Sequence, residues 1–118
     1  MGWPEARLHL QGIATHVRIG LALRWWERAR GLLFHGPLQD APAGLWIAPC
    51  NSVHMLGMRQ ALDVVYLDRE GVILKCVAGL RPWRLSACPG AHVALELRTG
   101  LIAELGLKPG LRLQARGG

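Results

Sequence analysis

The side chains able to do chemistry crowd into residues 50–63, where Cys50, His54, Met55, Met58, Arg59 and Asp63 stand directly ahead of the apolar run Val64, Val65, Tyr66 and Leu67. Thiol and imidazole are the group types of a nucleophile and its base, and with the thioethers they are those of a soft-metal site. Spacing argues against both. In extended chain, residues four apart lie about 13 Å from each other, so Cys50 and His54 meet only if the segment makes a helical turn. No Cys-x-x-Cys or His-x-x-x-His pattern supplies further ligands, Cys88 and His92 being the nearest by type. The expectation is therefore no metal and no cofactor, with Cys50 a small buried residue.

Asp63 is the sharpest signal, because a carboxylate inside an apolar strand costs several kcal/mol unless it is paired or hydrogen-bonded. Arg59 on the preceding loop or Arg81 beyond the next strand could supply a bidentate partner. Such a pair either pins the loop to the sheet or floors a ligand pocket. In the pocket, His54 and Arg81 would offer donors to an anionic or polyhydroxylated small molecule, with Trp83 and Trp46 stacking on its apolar face. The expected ligand-binding set is His54, Met55, Met58, Arg59, Asp63, Arg81, Trp83 and Glu96. No catalytic residue is assigned, since no arrangement here matches a known catalytic signature. The competing readings are a metal-binding or hydrolytic enzyme on Cys50 and His54, and a protein-protein adaptor docking through Arg81, Pro82, Trp83 and Arg84.

The elements that must hold these residues follow from periodicity. Residues 13–21 alternate Ile13, Thr15, Val17, Ile19 and Leu21 against polar or small neighbours, a half-buried strand that turns His16 to solvent. Residues 24–33 place Trp25, Ala29, Leu32 and Leu33 at helical spacing with arginines opposite, and 36–44 are rich in breakers. Residues 62–67 and 72–77 are β-branched and apolar, and the intervening Asp68, Arg69, Glu70 and Gly71 read as a tight hairpin. In 92–98, Val93, Leu95 and Leu97 form one face while His92, Glu96 and Arg98 share the other. Thr99 is placed to cap a short helix ending at Gly106, and a last strand alternates Leu111, Leu113 and Ala115 with Arg112, Gln114 and Arg116. These elements predict a mainly β single domain over residues 1–118, a mostly antiparallel β-sandwich or barrel-like fold with two short α-helices.

Composition bounds the possibilities. With 118 residues, 51% of them hydrophobic, the chain can bury one core without staples. The odd cysteine count of 3, with no charged start and apolar run near Met1, points to the cytoplasm and reduced thiols. No apolar run approaches the ~20 residues that span a bilayer. The net charge of +6 is carried mostly by arginine scattered along the chain, with no basic block and no aromatic RNA-binding signature. A solvated basic surface is expected, with a small molecule or a protein as partner and no nucleic acid.

The ordered set Arg30-Gly31-Leu32-Leu33, Gly44-Leu45-Trp46, His54-Met55, Leu62 through Asp68, Leu95-Glu96-Leu97 and Thr99-Gly100 resembles the domain of unknown function 192 (DUF192) family across residues 14–114. Leu33 stands where that family commonly has Met, His54 where many members have Trp, and Ala61 replaces the Pro that typically precedes Leu-Asp. The resemblance implies a small β-sandwich-like domain and assigns no activity.

Overall fold

The computed structural model describes residues 4–23, 43–55 and 60–117, and of His54 only the backbone. These residues form strands β1 (Glu5–Leu10), β2 (Ile13–Ala22), β3 (Gly44–Ile47), β4 (Ser52–His54), β5 (Leu62–Leu67), β6 (Ile73–Leu80), β7 (Leu85–Ala87), β8 (Val93–Arg98) and β9 (Leu113–Arg116), with one helix, α1 (Leu101–Leu105), between β8 and β9. Seven strands make one mixed sheet in the order β6-β5-β8-β3-β2-β1-β9, and β4 pairs with β7 separately. Neighbours run antiparallel except β2 and β3, which are parallel. Among the described residues there is a single short helix where the sequence predicts two. The other, expected over 24–33, lies outside them.

The large sheet curls until its two edges touch. Val72 and Arg112 form one antiparallel bridge between the start of β6 and the approach to β9, flanked by the Ile73 N–H to Leu111 carbonyl bond at 2.8 Å and the Leu113 N–H to Gly71 carbonyl bond at 2.9 Å. The edges then part, so the barrel is not closed. The result is a mainly β fold, one mixed curled sheet with a small sheet against its outside. Gly71 stands at the seam with φ 86°, where an added Cβ would run into the Leu113 carbonyl oxygen. Only glycine fits both demands.

The curl explains why β5 is buried at every position and, Asp63 apart, apolar instead of alternating. Its Val65 and Leu67 face inward with Leu95 and Leu97 of β8, Ile19 of β2 and Leu8 of β1. Its Leu62, Val64 and Tyr66 face outward and are covered by Val53 and Met55. A strand buried on both faces has no solvent side to make polar. The predicted hairpin between β5 and β6 is present, with the Asp68 N–H bonded to the Val72 carbonyl at 3.0 Å.

Asp63 closes one end of this barrel-like sheet. The residue is 1% exposed. Its Oδ1 accepts the Gly79 N–H at 2.9 Å, and its Oδ2 accepts the Gly100 N–H at 3.0 Å and the Ile102 N–H at 2.9 Å. The carboxylate therefore caps α1 from a distant strand, and Leu101 and Ile102 enter the inner core beneath it. This corrects two expectations. The N-cap position is Gly100, with φ 100°, while the Thr99 hydroxyl donates instead to the Ala61 carbonyl at 2.7 Å. Among the described residues, the partners of Asp63 are backbone N–H groups, and Arg81 is exposed rather than paired with it. Charge-assisted bonds of this kind are worth ~1.5–3 kcal/mol each when the buried partner would otherwise be left unmade. Asp63→Asn turns one acceptor into an amide facing N–H groups and is expected to lower stability by about 3 kcal/mol. In urea unfolding the midpoint should fall with little change in slope; an unmoved midpoint would show that this carboxylate does not hold the helix.

Candidate functional site

Strand direction and register define the two ends of the barrel. At the end closed by Asp63 stand the start of β5, the end of β8 and α1. At the other end β2 and β3, being parallel, finish together, β5 finishes and β8 begins, and the 68–71 turn runs beside the end of β9. Here the strands leave a basin of about 650 Å³. Its floor is apolar: Trp46 and Ala48 of β3 and the residue after it, Val93 of β8, and Leu113 and Ala115 of β9. Its rim is polar and of mixed charge, carrying Asp68, Arg69 and Glu70 of the turn, His92, and Arg112, Gln114 and Arg116. A concave apolar surface of this size with a few convergent polar groups is the usual form of a small-molecule site.

The rim groups are positioned by local bonds. Asp68 Oδ1 accepts the N–H groups of Glu70 and Val72, both at 2.9 Å, and so shapes the turn. Arg112 Nε donates to the Glu70 carbonyl at 2.7 Å, and Arg116 Nη2 donates to Gln114 Oε1 at 3.2 Å. His92 is fixed through its backbone, its N–H bonded to the Leu67 carbonyl at 2.8 Å and its carbonyl accepting the Cys50 N–H at 2.9 Å. The basin was not legible in the sequence. Its arginines lie far apart along the chain, and only their places at the ends of strands that converge, unknown before the strand order, bring them together.

The structure divides the residues expected to share one pocket. Asp63 and Glu96 are both buried, yet Glu96 is opposite Val64, the neighbour of Asp63. Because adjacent strand residues point to opposite faces, the two carboxylates lie on opposite sides of the sheet. Glu96 is therefore neither solvated nor in a common pocket with Asp63. Met55 is fully buried beneath the small sheet, and its backbone bonds to Arg84 and Trp83, both at 2.9 Å. Trp83 has φ 68° and is 68% exposed, beside exposed Arg81 and Leu85. Among the described residues its indole faces solvent. Met58, Arg59 and the side chain of His54 lie outside the described residues.

A second polar group sits under the small sheet. The buried Tyr66 hydroxyl donates to Ser86 Oγ at 3.0 Å, and Lys75, 6.0 Å from the ring centre, donates to the Ala87 carbonyl at 2.9 Å. Cys50 and Cys88 pack against the same cluster, and Cys50 Sγ donates to the Ser52 carbonyl at 3.0 Å. Among the described residues, no three His, Cys, Asp or Glu side chains stand close enough to share a metal ion.

Burial pushes the Tyr66 phenol above its ordinary 10.0; the Ser86 bond opposes that shift, and the Cys50, Cys88 and Glu96 charges add to it. Burial also raises the Cys76 thiol above 9.0, with a smaller push from Asp63. The folded state holds both protons more tightly than the unfolded chain does. Their stabilisation is thus complete below the ordinary values and declines as pH rises above 9.0 for the thiol and 10.0 for the phenol. Urea midpoints should be level from about pH 7 to about pH 8.5 and fall at higher pH. Tyr66→Phe should flatten the fall above pH 10; an identical alkaline fall in that variant would remove Tyr66 as its source.

The comparisons with known proteins agree with this fold. A putative transcription regulator from Sinorhizobium meliloti 1021 is 20% identical, with a TM-score of 0.82 over 98% of this chain and 96% of that one. A protein of unknown function from Novosphingobium aromaticivorans DSM 12444 is 24% identical, with a TM-score of 0.79 over 95% of this chain and 86% of that one. At these identities the likeness is one of fold. No curated protein matches the chain. The model of DUF192, a family described as an uncharacterized ACR, matches residues 7–115, and by that match over nearly its whole length the chain belongs to the DUF192 family.

Proposed function

We propose that this chain is a small-molecule-binding domain and that its ligand enters the open end of the barrel. One observation carries the reading: a basin of about 650 Å³ whose floor is apolar and whose rim carries three arginines and two carboxylates. Drug-sized ligands occupy pockets of roughly 300–1,000 Å³, and barrel mouths are among their preferred positions. The earlier pocket around His54, Arg59 and Asp63 has less support, because the Asp63 carboxylate is occupied by three backbone N–H groups at the opposite end. Among the described residues no helix is long and apolar enough to cross a membrane. Three thiols, Cys50, Cys76 and Cys88, suit a reducing compartment, so the proposal includes a cytoplasmic location that cell fractionation checks.

The neutral probe N-phenyl-1-naphthylamine, which fluoresces when it enters an apolar site, tests the reading. It should bind the folded protein and lose that binding in Ala115→Trp, whose indole fills the basin, while Trp83→Ala leaves binding unchanged. Circular dichroism and thermal melting establish that each variant is folded. Equal probe binding by folded Ala115→Trp and by the unsubstituted protein would overturn the proposal.

A further inference from the structure

We infer that the outer face of β2, β1 and β9 is a contact surface for the phosphate backbone of a nucleic acid duplex, a site separate from the apolar floor of the basin. The strand register carries the argument. Arg7 of β1 stands directly opposite Arg18 of β2 and, on its other side, directly opposite Arg116 of β9. Ala6, Leu8, Val17, Ile19 and Leu113 enter the inner core and Ala115 packs against it, so by strand alternation the three arginines point outward. They form one row across three neighbouring strands, about 10 Å from end to end at the usual strand spacing. Arg116, on the edge strand, belongs both to this row and to the basin's rim.

Like charges directly opposite one another destabilise a sheet. Here each guanidinium is held in the row by a local bond. Arg7 Nη1 donates to the Thr15 carbonyl at 2.9 Å, beside the register shift between Arg7 and His9. Arg18 Nε donates to Glu5 Oε1 at 3.1 Å, and Arg116 Nη2 to Gln114 Oε1 at 3.2 Å. Glu5 is the only acidic residue of the three strands, and Glu104 of α1 is engaged by His16 at 2.8 Å. With one carboxylate against three guanidinium groups, the row keeps a positive charge. Spread from position 7 to position 116, these arginines form no basic block in the sequence, and only the register gathers them.

The chemistry of the face selects the partner. In the next row His9 stands opposite Ala14 and Gln114, so neither row carries a large apolar side chain. A protein interface needs an apolar core, a single strand is held by bases stacked on aromatic rings, and a lipid surface is gripped through inserted apolar groups. A duplex asks for none of these. Most of its contacts go to phosphate oxygens, from side chains such as Arg and Gln. DNA carries one charge per about 1.7 Å of helix axis, so a row of this length always faces several phosphates.

Fluorescence anisotropy of a labelled duplex of about 20 base pairs, titrated with the protein at about 50 mM salt, tests the inference. Duplexes of unrelated sequence should bind alike, with log K falling against log salt at a slope of about −3. Arg18→Gln with Arg116→Gln should weaken binding at least about tenfold and lower the slope by about 2. The same two changes to Lys should keep both. Arg81→Gln with Arg84→Gln removes equal charge beyond the end of β6 and should change affinity about twofold or less. Circular dichroism establishes that each variant is folded, and Arg116→Gln alone should lower the slope by about 1. Ala115→Trp, which fills the basin, should leave duplex binding unchanged. Equal losses from the two Gln pairs would reduce the effect to net charge and overturn the inference. So would loss of duplex binding in Ala115→Trp, or binding to phosphatidylserine vesicles with none to the duplex.

Discussion

The carboxylate of Asp63 is the constraint on which the rest of this structure depends. One end of a curled sheet must be sealed, and here the seal is a helix of five residues, α1. A helix so short lacks the internal bonds to form alone. It persists because Leu101 and Ile102 enter the core and because a buried charge on β5 receives the N–H groups at its start. The same carboxylate bonds Gly79 on β6, so one side chain joins a central strand, an edge strand and the helix. Its burial is tolerable because both oxygens are occupied, where an unsatisfied carboxylate would cost several kcal/mol.

Sealing one end leaves the other as the place where the molecule can receive something. Among the described residues no helix crosses the strands there. The seam between β6 and β9 holds at Val72 and Arg112 and then opens. Apolar residues that would otherwise lie deeper in the core, Val93 and Leu113 among them, reach the floor of the basin.

Local patterns in the sequence carried most of the fold. The β5–β6 hairpin, the strand at β2, the strand at β8 and the helix ending at Gly106 all follow from side-chain period and turn residues, which are local quantities. Pairings between distant segments were not legible. Nothing in the order of residues tells that β2 and β3 run parallel, or that β9 returns to meet the start of β6. The same limit decided the site. Asp63 was visible as an anomaly, a charge in an apolar strand, but its partners are backbone groups of Gly79, Gly100 and Ile102, and backbone groups leave no mark in a sequence. Glu96 was placed in the ligand-binding set on a face shared with His92 and Arg98, because it alternates with Leu95 and Leu97, yet β5 and β3 flank its strand and both faces are buried.

Scattered charge in a sequence does not mean scattered charge in space. Arg69 belongs to a hairpin turn, and Arg112 and Arg116 to the last strand and its approach, more than forty positions later. Read along the chain they belong to a diffuse basic surface of net charge +6. The bridge between Val72 and Arg112 sets the turn beside β9 and gathers them on one rim. The three guanidinium groups share that rim with the Asp68 and Glu70 carboxylates, so their mutual repulsion is partly offset in place and water and salt screen the remainder.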